Sequence, residues 1–161
     1  MQKITKLSLL ILFITFSANT VFSQDIPDEG SVGITASFQG NQTNIMLPIW
    51  VSNHVVVAPL VGLEHRQDNY TTVNIGIKPR FYQSLGYNFA SYFGLAGLVN
   101  HTSPDAGDNT TNFIIGINGG GEYYLSEHFG VGVEAQLNFL IADESNNVLS
   151  TGAAITGSYY F

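Results

Sequence analysis

Residues 129–141 read FGVGVEAQLNFLI, and their alternation decides the fold. Phe129, Val131, Val133, Ala135, Leu137, Phe139 and Ile141 are all apolar. Between them stand Gly130, Gly132, Glu134, Gln136 and Asn138, small or polar, with Leu140 the single exception. Side chains alternate across a β-strand, so this stretch is a strand with one apolar and one polar environment.

The same pattern runs outward in both directions. Val32, Ile34, Ala36 and Phe38 alternate with Gly33, Thr35, Ser37 and Gln39. Val73, Ile75, Ile77, Pro79 and Phe81 alternate with Asn74, Gly76, Lys78, Arg80 and Tyr82. Phe113, Ile115, Ile117 and Tyr123 alternate with Gly116, Asn118, Gly120 and Glu122. Segments 45–51, 55–66, 89–100 and 151–161 bring the count to eight strands. The connections at 52–54, 83–88 and 126–128 are short, and those at 40–44, 67–72, 101–112 and 143–150 are polar and mostly longer. Short turns on one rim and longer loops on the other are the arrangement of a barrel that crosses a bacterial outer membrane, longer loops outside. Pro48, Pro59 and Pro79 fall inside these strands, and bulges or shifted strand limits are expected there because proline cannot donate to a ladder.

Composition decides which face meets which solvent. Charged residues make up 11% of the chain, against roughly 25% in ordinary soluble domains. A soluble barrel would turn the polar face to water, yet that face offers mostly Gly, Thr and Asn. Trp50, Tyr82, Tyr87, Phe89, Tyr123, Phe129, Tyr159 and Phe161 fall near the short-turn rim, where an aromatic girdle is expected, with Phe38, Tyr70 and Phe113 near the other. The expected fold is therefore an all-β, eight-stranded, antiparallel up-and-down transmembrane β-barrel.

The first 23 residues are read as a secretory signal peptide. Lys3 and Lys6 precede the apolar run Leu7 to Phe16, and Val21 and Ser23 occupy the −3 and −1 positions before Gln24. The apolar run is too short for a membrane-spanning helix, which needs about 20 residues. Residues 24–161 form the barrel domain. They retain Arg66, Lys78 and Arg80 against twelve carboxylates, so no basic surface exists for a nucleic-acid partner. With no cysteine, disulfides and thiolate metal sites are excluded.

Two stretches carry a family resemblance: Gly119 to Ala135, GGGEYYLSEHFGVGVEA, and Ser158 to Phe161, SYYF. They resemble the last short-turn hairpin and terminal strand of the small OmpA/OmpX-like bacterial outer-membrane β-barrel family. The resemblance implies a cell outer-membrane location and insertion by the barrel-assembly machinery, which reads a terminal strand ending in an aromatic residue. Tyr159 and Phe161 match that signal; Thr156 stands where a glycine is usual. The larger members' peptidoglycan-binding domain is not expected here. Members range from structural proteins and adhesins to lipid-modifying enzymes, and fold does not choose among these.

Candidate chemistry lies on the polar face. Lys78, Arg80, Glu122 and Glu134 should share one level of the lumen, where buried opposite charges pair as a plug, the alternative being a gated ion path. Glu64 is expected to pair with Arg66. His101 and Ser103 resemble the His-x-Ser pair of outer-membrane lipid A deacylases, in which histidine activates serine. The glutamate such enzymes place on an adjacent strand is missing at Thr111, Phe113 and Ile115. His54, His65 and His128 lack metal-ligand spacing, and Asp68, Asp105, Asp108, Asp143 and Glu144 read as a solvated acidic surface. The expectation is a monomeric, non-enzymatic outer-membrane barrel without an open pore, cofactor or metal. It would meet membrane lipids along its wall and an unspecified extracellular ligand at its loops. The alternatives are a lipid A deacylase-like enzyme using His101 and Ser103, and a soluble exported ligand-binding barrel.

Overall fold

The computed structural model describes residues 26–67, 69–142 and 147–161. The signal peptide, its cleavage point, Asp68, Asp143 and Glu144 lie outside the described residues. Strands β1 (Gly33–Gln39), β2 (Gln42–Met46), β3 (Ile49–Ser52), β4 (Val55–Arg66), β5 (Tyr70–Gly86), β6 (Phe89–Pro104), β7 (Thr110–Ser126), β8 (Phe129–Ile141) and β9 (Val148–Tyr160) form one sheet. Apart from β2 and β3, which do not pair with each other, chain neighbours pair antiparallel, and β1 pairs with β9 to close the barrel. β2 and β3 are halves of one barrel strand: Met46 faces Leu60 and Ile49 faces Val57 in a single register on β4. The closed wall thus has eight strands, and closure removes the free edges that an open sheet would expose.

Pro48 is accommodated by shifted strand limits, as the sequence predicts, whereas Pro59 and Pro79 stay inside their strands without a bulge. Pro48 interrupts the ladder between β2 and β3, yet its carbonyl still accepts from the Gly33 N–H at 2.9 Å. Pro59 sits within an unbroken β4, its carbonyl accepting from the Leu47 N–H at 2.9 Å. At Pro79 the β5–β6 ladder lapses between Ile77↔Gly97 and Arg80↔Gly94 and resumes in the same register. Each proline forgoes its own donor bond while adjacent bonds hold the register, so none needs a bulge. Register shifts occur instead at the lower rim, beside Ser52, Gly86 and Ser126.

The lower rim carries Phe161 and the turns 53–54, 87–88 and 127–128. Its turns share one device: the N–H of Tyr82, Tyr124 and Tyr160 donates to the carbonyl of His54, Asn88 and His128 at 2.7–2.8 Å. The upper connections are 40–41, 67–69, 105–109 and 142–147. Those at 67–69 and 105–109 are shorter than expected, because β5, β6 and β7 continue through polar Thr, Ser and Asn residues to lengths of 16–17 residues, and 40–41 is shorter because β2 already begins at Gln42. Cross-strand bonding between Thr72 and Thr102 Oγ1 atoms at 2.9 Å is one reason a polar sequence stays in the ladder there.

Parity along every strand sorts the side chains. Outside stand Leu63, Ile75, Ile115, Ile117, Val133 and Ile155, each more than half exposed. Inside stand the charges, amides and tyrosines. Trp50 and Tyr82, expected in the aromatic girdle of the short-turn rim, point inward and are 1% and 5% exposed. Their even positions share the polar parity of Lys78 and Arg80, and parity outranks aromatic preference for a rim. Phe89, Tyr123, Phe129, Tyr159 and Phe161 do face outward at the lower rim.

Candidate functional site

The lumen is stratified. Its lowest layer is aromatic: Trp50 and Tyr82 are in tilted contact at 4.8 Å, and Tyr82 and Tyr92 at 4.9 Å. Tyr124 and Tyr160 complete the layer from β7 and β9. Within it lies Glu122, which accepts from the hydroxyls of Tyr82 at 3.0 Å and of Tyr124 and Tyr160 at 3.3 Å. Three hydroxyl donors meet the carboxylate here, and among the described residues it has no ion pair.

Above this is the charged layer. Glu134 takes both cations: Lys78 Nζ lies 2.7 Å from Oε1 and Arg80 Nη2 lies 2.7 Å from Oε2. Tyr92 and Gln136 also donate to Glu134, at 3.0 Å and 2.7 Å. The Arg80 guanidinium stacks over the Tyr92 ring, 4.7 Å from its centre. All four sequence-predicted charges, Lys78, Arg80, Glu122 and Glu134, are buried, at 2–4% exposure. Register explains the spacing of the acids: Glu122 faces Gly132 and Glu134 faces Gly120, so the carboxylates sit on a diagonal of one hairpin. The two ion pairs and their hydrogen bonds offset the cost of burying Lys78, Arg80 and Glu134, although Arg80 Nε is left without a partner.

Above the ions opens a vestibule that sequence reasoning had not assembled. A cavity of about 80 Å³ is lined by Gln39, Gln42, Asn44, Asn74, Asn100, Gln136 and Asn138, with Glu64 and Lys78 also on its wall. The amides bond one another, Asn100 Nδ2 to Asn74 Oδ1 at 2.8 Å and Gln42 Nε2 to Asn44 Oδ1 at 2.7 Å. Glu64 accepts from the Tyr70 hydroxyl at 2.7 Å rather than pairing with Arg66, whose guanidinium stacks on the Tyr70 ring. Tyr70 lies across from Arg66 in the ladder, and from there its ring reaches Glu64. The recurring Asn and Gln at even positions of the strands were the available signal for this layer.

The outer wall carries a second cluster, at the upper end of β4–β7. His101 Nδ1 bonds Thr111 Oγ1 at 2.9 Å, and its Nε2 lies 3.5 Å from Ser103 Oγ. His65 Nδ1 makes the same kind of contact with Thr71, at 2.9 Å. The position a triad would give to a carboxylate is held by the Thr111 hydroxyl. Among the described residues, no three His, Asp or Glu side chains come together as metal ligands. Tyr159 and Phe161, the expected assembly signal, stand on the outer face in edge contact at 5.6 Å.

The structure is similar to the N-terminal β-barrel domain of Pseudomonas aeruginosa OprF, with a TM-score of 0.67 and 14% identity over 83% of this chain and 98% of that one. It is also similar to Neisserial surface protein A, with a TM-score of 0.66 and 14% identity over 81% of this chain and 94% of that one. At such identity the fold is what is shared, and it is the small eight-stranded barrel that the sequence resemblance implied. No protein-family model matches the chain, and no curated protein matches its sequence.

Proposed function

We propose that this chain is a bacterial outer-membrane β-barrel that sits in lipid by its apolar wall, is closed to solutes, and acts without catalysis, as a structural element or through its outer end. One observation carries the reading: the barrel is apolar outside and charged inside. A soluble protein rarely exposes a contiguous apolar patch beyond a few hundred Å², whereas here the wall is apolar on every strand. On β7 the outward residues from Phe113 to Tyr123 span ten steps of strand. At about 3.3 Å per residue and a tilt of about 40°, they make a band of about 25 Å, the height of a barrel's lipid-facing belt.

Closure is supported by the lumen filling. The ion pairs to Glu134 and the tyrosine layer beneath them occupy the cross-section that eight strands enclose. The soluble ligand-binding alternative is weakened by the same filling, since the vestibule of about 80 Å³ is smaller than the roughly 300 Å³ of ordinary ligand pockets. The partners this reading implies are membrane lipids along the wall, the barrel-assembly machinery at the strand ending in Tyr159 and Phe161, and an extracellular ligand at the upper rim.

The test is gel mobility of the detergent-extracted outer-membrane fraction, boiled against unboiled. A band whose mobility changes on boiling is expected. Release of the protein without detergent, with no change on boiling, would reject the reading.

A further inference from the structure

Below β1 the chain does not leave the barrel. Ser31 and Gly30 stay pinned to β3: the Gly30 N–H donates to the Trp50 carbonyl at 2.8 Å, and the Trp50 N–H to the Ser31 carbonyl at 2.9 Å. The backbone then reverses. Gly30 has a φ of +89°, a conformation that favours glycine, and the Ser31 N–H closes a turn onto the Asp28 carbonyl at 3.0 Å. The reversal carries Pro27 and Ile26 back under the aromatic layer. Pro27 is buried, and Ile26 packs against the cluster containing Trp50, Tyr82, Tyr124 and Tyr160. Asp28 and Glu29, between them and the strand, are exposed.

This arrangement answers a physical question about the lower mouth. The rings of Trp50, Tyr124 and Tyr160 point into the lumen at its lower end, where an open mouth would admit water to them. They are instead 0–2% exposed. Among the described residues, the segment in front of β1 packs on that layer through Ile26, apolar toward the rings and acidic toward solvent.

We propose that residues Ile26–Gly30 are a stopper that closes the lower mouth of the barrel. The lumen is then sealed twice, by the ion pairs to Glu134 and by this hook, and water reaches the charged layer only from the upper vestibule. The inference does not depend on the membrane reading, because it concerns the inside of the barrel.

Trp50 is the only tryptophan and the chain has no cysteine, so the test is direct. In the folded full chain, Trp50 fluorescence should resist acrylamide. In the double variant Ile26→Asp with Pro27→Asp, a severalfold higher quenching constant is expected while the band still shifts on boiling. Unchanged quenching in that folded variant would overturn the stopper. Should the double variant fail to fold, single cysteines decide. Pro27→Cys should react with a maleimide about an order of magnitude more slowly than Glu29→Cys in folded protein, and equal rates would overturn the proposal.

Discussion

Tyr92 stands directly across the β6–β7 ladder from Gly120, and a Cβ on that glycine would crowd the Val133 carbonyl oxygen of β8 and lie 2.7 Å from the tyrosine hydroxyl. The same hydroxyl donates to Glu134, so the glycine's missing side chain is the space in which the ring reaches the charged layer. Tyr160 faces Gly33 in the same way, whereas Gly130, across from Tyr124, leaves its space to the Glu122 side chain. Gly120→Ala should therefore lower stability by about 1–3 kcal/mol, the usual cost of overpacking. Gly97→Ala is the control, since a Cβ there meets nothing within 4 Å. Urea unfolding in micelles measures both, and equal midpoints would mean that the ring and the β8 backbone at Val133 both give way.

Glu134 and Glu122 should respond differently to replacement, though both are buried carboxylates. Glu134→Ala leaves Lys78 and Arg80 without their shared anion, and breaking a buried pair costs about 3–5 kcal/mol. Glu122 accepts only from tyrosine hydroxyls, and Glu122→Gln keeps an oxygen for them, so its cost should be about 1 kcal/mol. Equal losses in the two variants, measured by the same unfolding, would show that the two carboxylates are not separately partnered.

What was legible in the sequence was whatever period two controls. Phe129 to Ile141 declared its two faces, and the inward placement of Lys78, Arg80, Glu122 and Glu134 followed from parity alone. Partner choice was not legible, because it depends on register between strands far apart in sequence. Glu134 lies 54 residues from Arg80, and nothing local says that it, rather than Glu122, takes both cations. Trp50 and Tyr82 do lie near the short-turn rim, but their parity turns them into the lumen instead of the girdle. Strand ends are hidden for a related reason: Thr102, Asn112 and Ser150 look like loop residues until cross-strand partners hold them in the ladder.

Ser103→Ala should leave the lipid A of producing cells unchanged. Ser103 Oγ is 3.5 Å from His101 Nε2, but the other ring nitrogen is bound to a threonine hydroxyl, which cannot stabilise an imidazolium as a carboxylate does. Mass spectra of lipid A from cells with the wild type, the variant and no protein should coincide. Loss of an acyl chain that depends on Ser103 would reinstate the enzyme.

The wall itself gives a prediction that depends on depth. Ile117 is outward, 56% exposed, and close to the middle of the apolar band on β7. Ile141 is outward too, 39% exposed, at the upper end of β8. In a bilayer, arginine costs about 2–4 kcal/mol at the midplane and about 0–1 kcal/mol near the interfaces. Ile117→Arg should therefore destabilise the barrel folded into liposomes by several times more than Ile141→Arg. In water both positions are exposed surface, and a charge at either would cost little. Equal and small effects would place the wall in water and leave its apolar residues without an explanation, whereas a gradient from Ile117 to Ile141 can arise only where the surrounding solvent changes along the strand.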